Sequence, residues 1–101
     1  MLEKDLEKKV VKLAKELGYI TFKFISPSNR GVPDRIFINS YGYIFFMEFK
    51  SAGGKLSKSQ ENIFKKLKLR HVNIYVIYDY EIAKIILKRE INYEYRKIDL
   101  N

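Results

Sequence analysis

Asp34, Glu48 and Lys50 stand in or beside two of the most apolar stretches of a 101-residue chain, "GVPDRIFINS" and "YIFFMEFK". Charges in such surroundings are costly unless they are paired or bound to a counter-charge. Side chains alternate along an extended strand, so Ile44, Phe46, Glu48 and Lys50 share one face while Phe45, Met47 and Phe49 share the other. Glu48 and Lys50 therefore point the same way. An isolated Glu-x-Lys reads first as an ion pair at a fraying strand end, because so short a pattern arises often by accident. Asp34 alters that reading. Pro33 biases Val32 to an extended conformation and Gly31 permits a turn, which delivers Asp34 to the start of the neighbouring strand. With Ser40, Tyr41 and Gly42 as the turn, laying the two strands side by side brings Asp34 near Glu48. Two converging carboxylates beside a lysine suit Mg²⁺, which takes oxygen ligands and keeps waters and substrate phosphate in its shell.

Two more residues can join this group. Glu7 lies at the edge of an apolar helical stripe, beside Val10, Val11 and Ala14, where a boundary glutamate paired with a lysine is the plain alternative. Glu3 competes with it from one turn earlier. Gln60 completes the pattern Ser57-x-x-Gln60, a capping box that by itself accounts for a glutamine there. It also lies one turn before Ile63 and Phe64 on the inward face, where its amide can reach the acids, and the two roles are compatible. His71 has no partner pattern and reads as structural or solvated. With no cysteine in the chain, a metal has only oxygen ligands and this single histidine to bind.

The elements that must position these groups follow from periodicity. Leu2, Leu6, Val10, Leu13 and Leu17 recur at helical spacing before Gly18, so residues 2–17 read as an amphipathic helix. "YITFKFI" at 19–25 reads as a strand, "SPSNRGVP" as a loop, and the two charged segments as a hairpin. Residues 57 to about 70 form a second helix with Ile63, Phe64 and Leu67 inward. "VNIYVIY" at 72–78 is nearly all apolar and reads as a strand covered on both faces. Residues 80–90 make a third helix buried on Ile82, Ile85 and Ile86, and residues 91–101 carry no clear signal. The order α-β-β-β-α-β-α implies an α/β fold, a mixed sheet flanked by helices, in one domain spanning 1–101.

Twenty Lys and Arg against twelve Asp and Glu give a net charge of +8. Nucleic acid or an anionic membrane surface would attract that charge, and a lysine-rich solvated surface is the bland alternative. No apolar run approaches the roughly 20 residues that cross a bilayer, and the N-terminus lacks the apolar core of a signal peptide. The expectation is a soluble protein of the cytoplasm, or of the host-cell cytoplasm if the chain is viral.

The combination Gly31-Val32-Pro33-Asp34-Arg35, Glu48-Phe49-Lys50, Lys55-Leu56-Ser57 and Gln60, preceded by "FKFISPSNRGVPD", resembles the VRR-NUC family of the PD-(D/E)xK nuclease superfamily. The resemblance runs from about Asp5 to Tyr80, and the superfamily core α-β-β-β-α-β agrees with the order read above. It implies that Asp34 and Glu48 bind the metal with the Phe49 backbone carbonyl, and that Lys50 orients the attacking water and stabilises charge. Glu7 would support the metal site from the first helix, and Gln60 would be the polar residue of the second. The chain lacks an appended domain and so resembles the short stand-alone members, which act as homodimers similar to Holliday-junction resolvases.

The activity implied is Mg²⁺-dependent hydrolysis of phosphodiesters in branched DNA, with Mn²⁺ able to substitute and no small-molecule cofactor. Lys23, Ser26, Arg30, Arg35, Lys55 and Lys58 lie near the expected catalytic edge and are candidates to grip the DNA backbone. Alternatives are a nicking, flap or restriction-type nuclease on the same core, or a non-catalytic basic DNA-binding module.

Overall fold

In a computed structural model, which describes residues 1–94, three helices and four strands alternate in the expected order. They are α1 (Glu3–Glu16), β1 (Ile20–Lys23), β2 (Arg35–Ile38), β3 (Ile44–Phe49), α2 (Lys58–Lys68), β4 (Ile74–Ile77) and α3 (Tyr80–Glu90). The strands lie in the order β1-β2-β3-β4. The first three run antiparallel, and β4 joins parallel to β3 after α2 carries the chain across.

Alternation along β3 divides the molecule into layers. Phe45, Met47 and Phe49 point to one face and are fully buried with Phe37 and Ile77 against Leu6, Val10 and Ala14 of α1 and Ala83, Ile86 and Leu87 of α3. Phe37 and Phe45 stack at 5.5 Å between ring centroids, and Tyr19 and Tyr75 meet Phe45 edge-on. The opposite face is only partly covered. Phe46 packs on Phe24 there, but Ile20 and Phe22 of β1 are each 57% exposed and Ile44 is 46% exposed.

Two expectations need correction. β4 is an edge strand, with Ile77 its one fully buried residue, so its apolar run does not reflect cover on both faces. The third helix buries Ala83, Ile86, Leu87 and Glu90, whereas Ile82 and Ile85 are 48% and 58% exposed. Its rotation is set by polar ties that three isoleucines do not reveal. The Tyr19 hydroxyl donates to the Leu87 carbonyl at 2.7 Å and Asn39 Nδ2 donates to the Glu90 carbonyl at 2.9 Å, while Asp79 caps the first turn by accepting from the Ile82 N–H. Of the tail residues Tyr93, Tyr95 and Ile98, candidates from their sequence for a dimer surface or a last strand on the sheet, Tyr95 and Ile98 lie outside the described residues.

Buried Asn39 holds the end of the sheet away from the acids. Its Oδ1 accepts from the N–H groups of Tyr41 and Tyr43, closing the β2–β3 turn, and its Nδ2 donates to the carbonyls of Glu90 and Tyr93. All four hydrogen-bonding positions of the amide are used. Asn39→Ala strands those groups and is expected to lower stability by about 2–3 kcal/mol. The measurement is a urea titration, in which the midpoint falls while the slope is preserved.

Candidate active site

Asp34 and Glu48 meet where β2 begins and β3 ends. Arg35 is the register partner of Met47, so one step outward sets Asp34 opposite Glu48. The Asp34 N–H donates to Glu48 Oε1 at 3.1 Å, and the Phe49 N–H donates to Asp34 Oδ2 at 2.9 Å. The backbone at each strand end thus seats the acid of the other. Lys50 Nζ lies 3.4 Å from Glu48 Oε2, and Gln60 Nε2 donates to that same oxygen at 2.7 Å. Glu48 is 3% exposed.

Gln60 performs both roles read from its position. Its Oε1 accepts from the Ser57 N–H, and the Ser57 hydroxyl accepts from the Gln60 N–H. Because the cap occupies the amide oxygen, the NH₂ end must face Glu48. The loop before Asp34 helps to hold α2 in place. Gly31 has φ +96°, and a Cβ there would come within 2.5 Å of the Ser59 backbone and 2.8 Å of the Gln60 nitrogen. Only glycine permits this approach.

The donor set fits a hard cation. Lys50 donates its N–H to Ile77 on the β4 side, so Phe49 directs its N–H and C=O towards β2. Continuing the register sets Pro33 opposite Phe49, and proline has no N–H to offer that carbonyl. Two carboxylates and a carbonyl oxygen are left converging at one edge. Among the described residues no three His, Asp or Glu side chains cluster as a metal cage. Mg²⁺ needs no such cage, since it draws its remaining ligands from water and phosphate.

Burial pushes both carboxyls above their usual range. For Asp34 the Phe49 N–H opposes the rise, with nearby Glu7 adding to it. For Glu48 the Asp34 charge adds to burial, opposed by Gln60 and Lys50. Two half-compensated acids side by side form an electrostatic deficit that a cation relieves.

Glu7 stands apart from this pair. It comes from the α1 layer, and its Oε2 accepts from Arg35 Nε at 2.7 Å and from Lys23 Nζ at 3.3 Å. Lys23 and Arg35 are direct cross-strand partners, an arrangement of like charges that calls for an acid between them. That signal becomes readable only once the β1–β2 register is known. Glu3 Oε1 accepts from the Ser51 N–H, tying the start of α1 to the segment after Lys50. Among the proposed DNA contacts, Arg35 is thus engaged with Glu7, while Lys23, Arg30, Lys55 and Lys58 are exposed. Lys58 lies 3.9 Å from Glu61, and Ser26 Oγ accepts from Asn29. His71 takes φ 62° where the chain leaves α2, an exposed left-handed position and a structural one.

No protein-family model matches the sequence. A protein of Acyrthosiphon pisum secondary endosymbiont phage 1, named "Putative nuclease p44", is 43% identical over 53 residues, which is 52% of this chain and 57% of that protein. The match therefore spans little more than half of the relative's length. A solved structure described as "VRR_NUC domain" superposes with a TM-score of 0.76 over 85% of this chain and 94% of its own, at 20% identity. The fold is the one the sequence resemblance implied.

The raised acids make a stability prediction with a definite sign. Because each binds its proton more readily folded than unfolded, stability is fully present at acid pH and is lost as pH rises through the folded values. Asp34→Asn keeps an acceptor for the Phe49 N–H and removes a charge. Without divalent cations at pH 7 it is expected to raise the thermal midpoint by a few degrees, roughly what 0.5–1 kcal/mol gives a domain of this size. The gain should shrink as pH falls below the ordinary carboxylate range. An equal or lower midpoint at pH 7 contradicts the account.

Proposed function

We propose that this chain, which has the fold of a VRR_NUC domain, is a metal-dependent endonuclease that hydrolyses phosphodiester bonds in branched DNA. The observation that carries this reading is the buried Asp34 and Glu48 pair, each seated on the other strand's backbone with Lys50 beside it. A protein that merely binds DNA gains nothing from burying two acids next to phosphate. The similarity to the phage protein named "Putative nuclease p44" supports the nuclease part of this reading.

Asp34, Glu48 and the Phe49 carbonyl are the groups to hold Mg²⁺, or Mn²⁺ in its place. A cation held by these groups would supply positive charge to offset the scissile phosphate and Lewis acidity to activate water. Lys50, its side chain 15% exposed, would orient the attacking water and place a positive charge beside the charge that develops on the phosphate. Gln60 fixes the Glu48 carboxylate, so its oxygens need no reorganisation during the reaction. Glu7 orders Arg35 and Lys23, which with Ser26, Arg30, Lys55 and Lys58 position the DNA backbone.

Resolving a four-way junction takes two symmetric cuts, which a two-fold dimer supplies. The exposed apolar side chains of Ile20, Phe22 and Ile44 on the open sheet face are the surface for that pairing. The reading treats residues 1–101 as one domain working in the cytoplasm, or in the host-cell cytoplasm for a viral protein. Among the described residues no helix is long and apolar enough to cross a membrane.

The test incubates the purified protein with labelled four-way junction, flap and linear duplex, in Mg²⁺ or EDTA, beside Glu48→Ala and Lys50→Ala. Cleavage is expected to need the cation, to favour the junction, and to fall at least about 100-fold in either variant. Binding without cation-dependent cleavage of any substrate would leave a non-catalytic DNA-binding module. Preference for flap or linear duplex would keep a nuclease of nicking, flap or restriction type and remove the junction.

A further inference from the structure

The charge of α1 is distributed in a way that its own stability does not explain. Lys4, Lys8, Lys12 and Lys15 are all exposed and fall on the face opposite Leu6, Val10 and Ala14. They form a crest about 16 Å long, from eleven residues of helical rise. None of the four is in an ion pair among the described residues. Of the acids of α1, Glu3 is on Ser51 and Glu7 on Arg35 and Lys23, while exposed Asp5 and Glu16 flank the crest and form an ion pair with none of its lysines. Lys4 with Lys8 and Lys8 with Lys12 are like charges at i,i+4, each pair destabilising by about 0.2–0.5 kcal/mol. Lys4, in the first turn, also opposes the helix dipole. In the other two helices Lys65, Lys66 and Lys68 of α2, and Lys88 and Arg89 of α3, lie in or near the last turn, where the dipole favours them as it does Lys15 of α1, and Lys58 in the first turn of α2 lies 3.9 Å from Glu61.

The crest starts at the catalytic edge. Glu3 holds the residue after Lys50, and Glu7 holds the residue after Asp34, so the first turns of α1 lie beside both. A groove of about 270 Å³ lined by Lys4, Glu7, Lys8, Val11, Lys23 and Arg35 joins the crest to that edge. From there the lysines run away from the acids along the outer side of the α1 layer. A duplex lying across the edge meets only their beginning.

We propose that the lysine crest of α1 is a second DNA seat, gripping the phosphate backbone of an arm that diverges from the cleavage site in a branched substrate. The proposal rests on the nuclease reading and names the surface that selects branched over linear DNA. With one phosphate per ~3.4 Å on each strand, the crest spans about five nucleotides of one strand.

The test is equilibrium binding, in EDTA, of the full chain to a four-way junction and to a linear duplex of equal length across a salt series. It compares wild type with Lys8→Ala/Lys12→Ala/Lys15→Ala and with a charge-matched control, Lys65→Ala/Lys66→Ala/Lys68→Ala. At about 0.9 per neutralised phosphate, the crest variant should flatten the log K against log salt slope for the junction by about 2–3, and by less than about 1 for the duplex. The control should change neither by more than about 1. An unchanged junction slope, equal losses on junction and duplex, or an equal effect of the control overturns the proposal. So does loss of binding to phosphatidylglycerol vesicles with junction binding intact, which would make the crest a membrane-facing surface. Binding is read without cleavage, so a wild type that never cuts DNA defeats the nuclease reading and leaves this comparison decisive.

Discussion

Two backbone hydrogen bonds hold the centre of this molecule together. The Asp34 N–H binds the Glu48 carboxylate, and the Phe49 N–H binds the Asp34 carboxylate. The second replaces the ladder bond that the Phe49 N–H would otherwise make to β2, so the end of the sheet and the site are closed by the same contact. Proline at 33 belongs to this arrangement, because it ends the ladder there and frees the Phe49 carbonyl. Gly31 belongs to it as well, by letting the loop press against the first turn of α2. Gln60 then reaches Glu48 with its amide already oriented by Ser57. Loosening either hydrogen bond would disturb the acids, the carbonyl and the helix cap together.

The hydrophobic core makes this geometry rigid. Phe45, Met47 and Phe49 are locked between α1 and α3, so Glu48 and Lys50 project from a strand that cannot rotate. The burial that makes Asp34 and Glu48 look misplaced is also what raises the proton affinity of both carboxyls. A site built this way sacrifices some stability to hold charge ready for a cation, the usual trade between activity and stability.

Much of this was legible in the sequence, and the limits have physical causes. Strand alternation placed Glu48 with Lys50, and hairpin geometry placed Asp34 near Glu48, because both depend on local periodicity. The order of elements followed from local pattern in the same way. What failed depended on distant partners. The edge position of β4 cannot be read from its own apolar run, since strand order is a property of the whole sheet. The buried face of α3 was set by Tyr19 and Asn39, 68 and 51 residues away from their partners. Glu7 was found as a boundary acid, but its engagement with Arg35 and Lys23 depends on a cross-strand pairing that helical spacing does not encode.

The central claim is that Asp34, Glu48 and the Phe49 carbonyl together form a divalent cation site. It is tested most directly by following backbone and side-chain amide resonances during a Mg²⁺ titration without DNA. The amides of Asp34 and Phe49 and the Gln60 NH₂ should shift together and saturate along one binding curve, because each touches a carboxylate that would bind the ion. If those resonances stay in place while others move, or if they shift along separate curves, the two acids do not share a cation and the account is wrong.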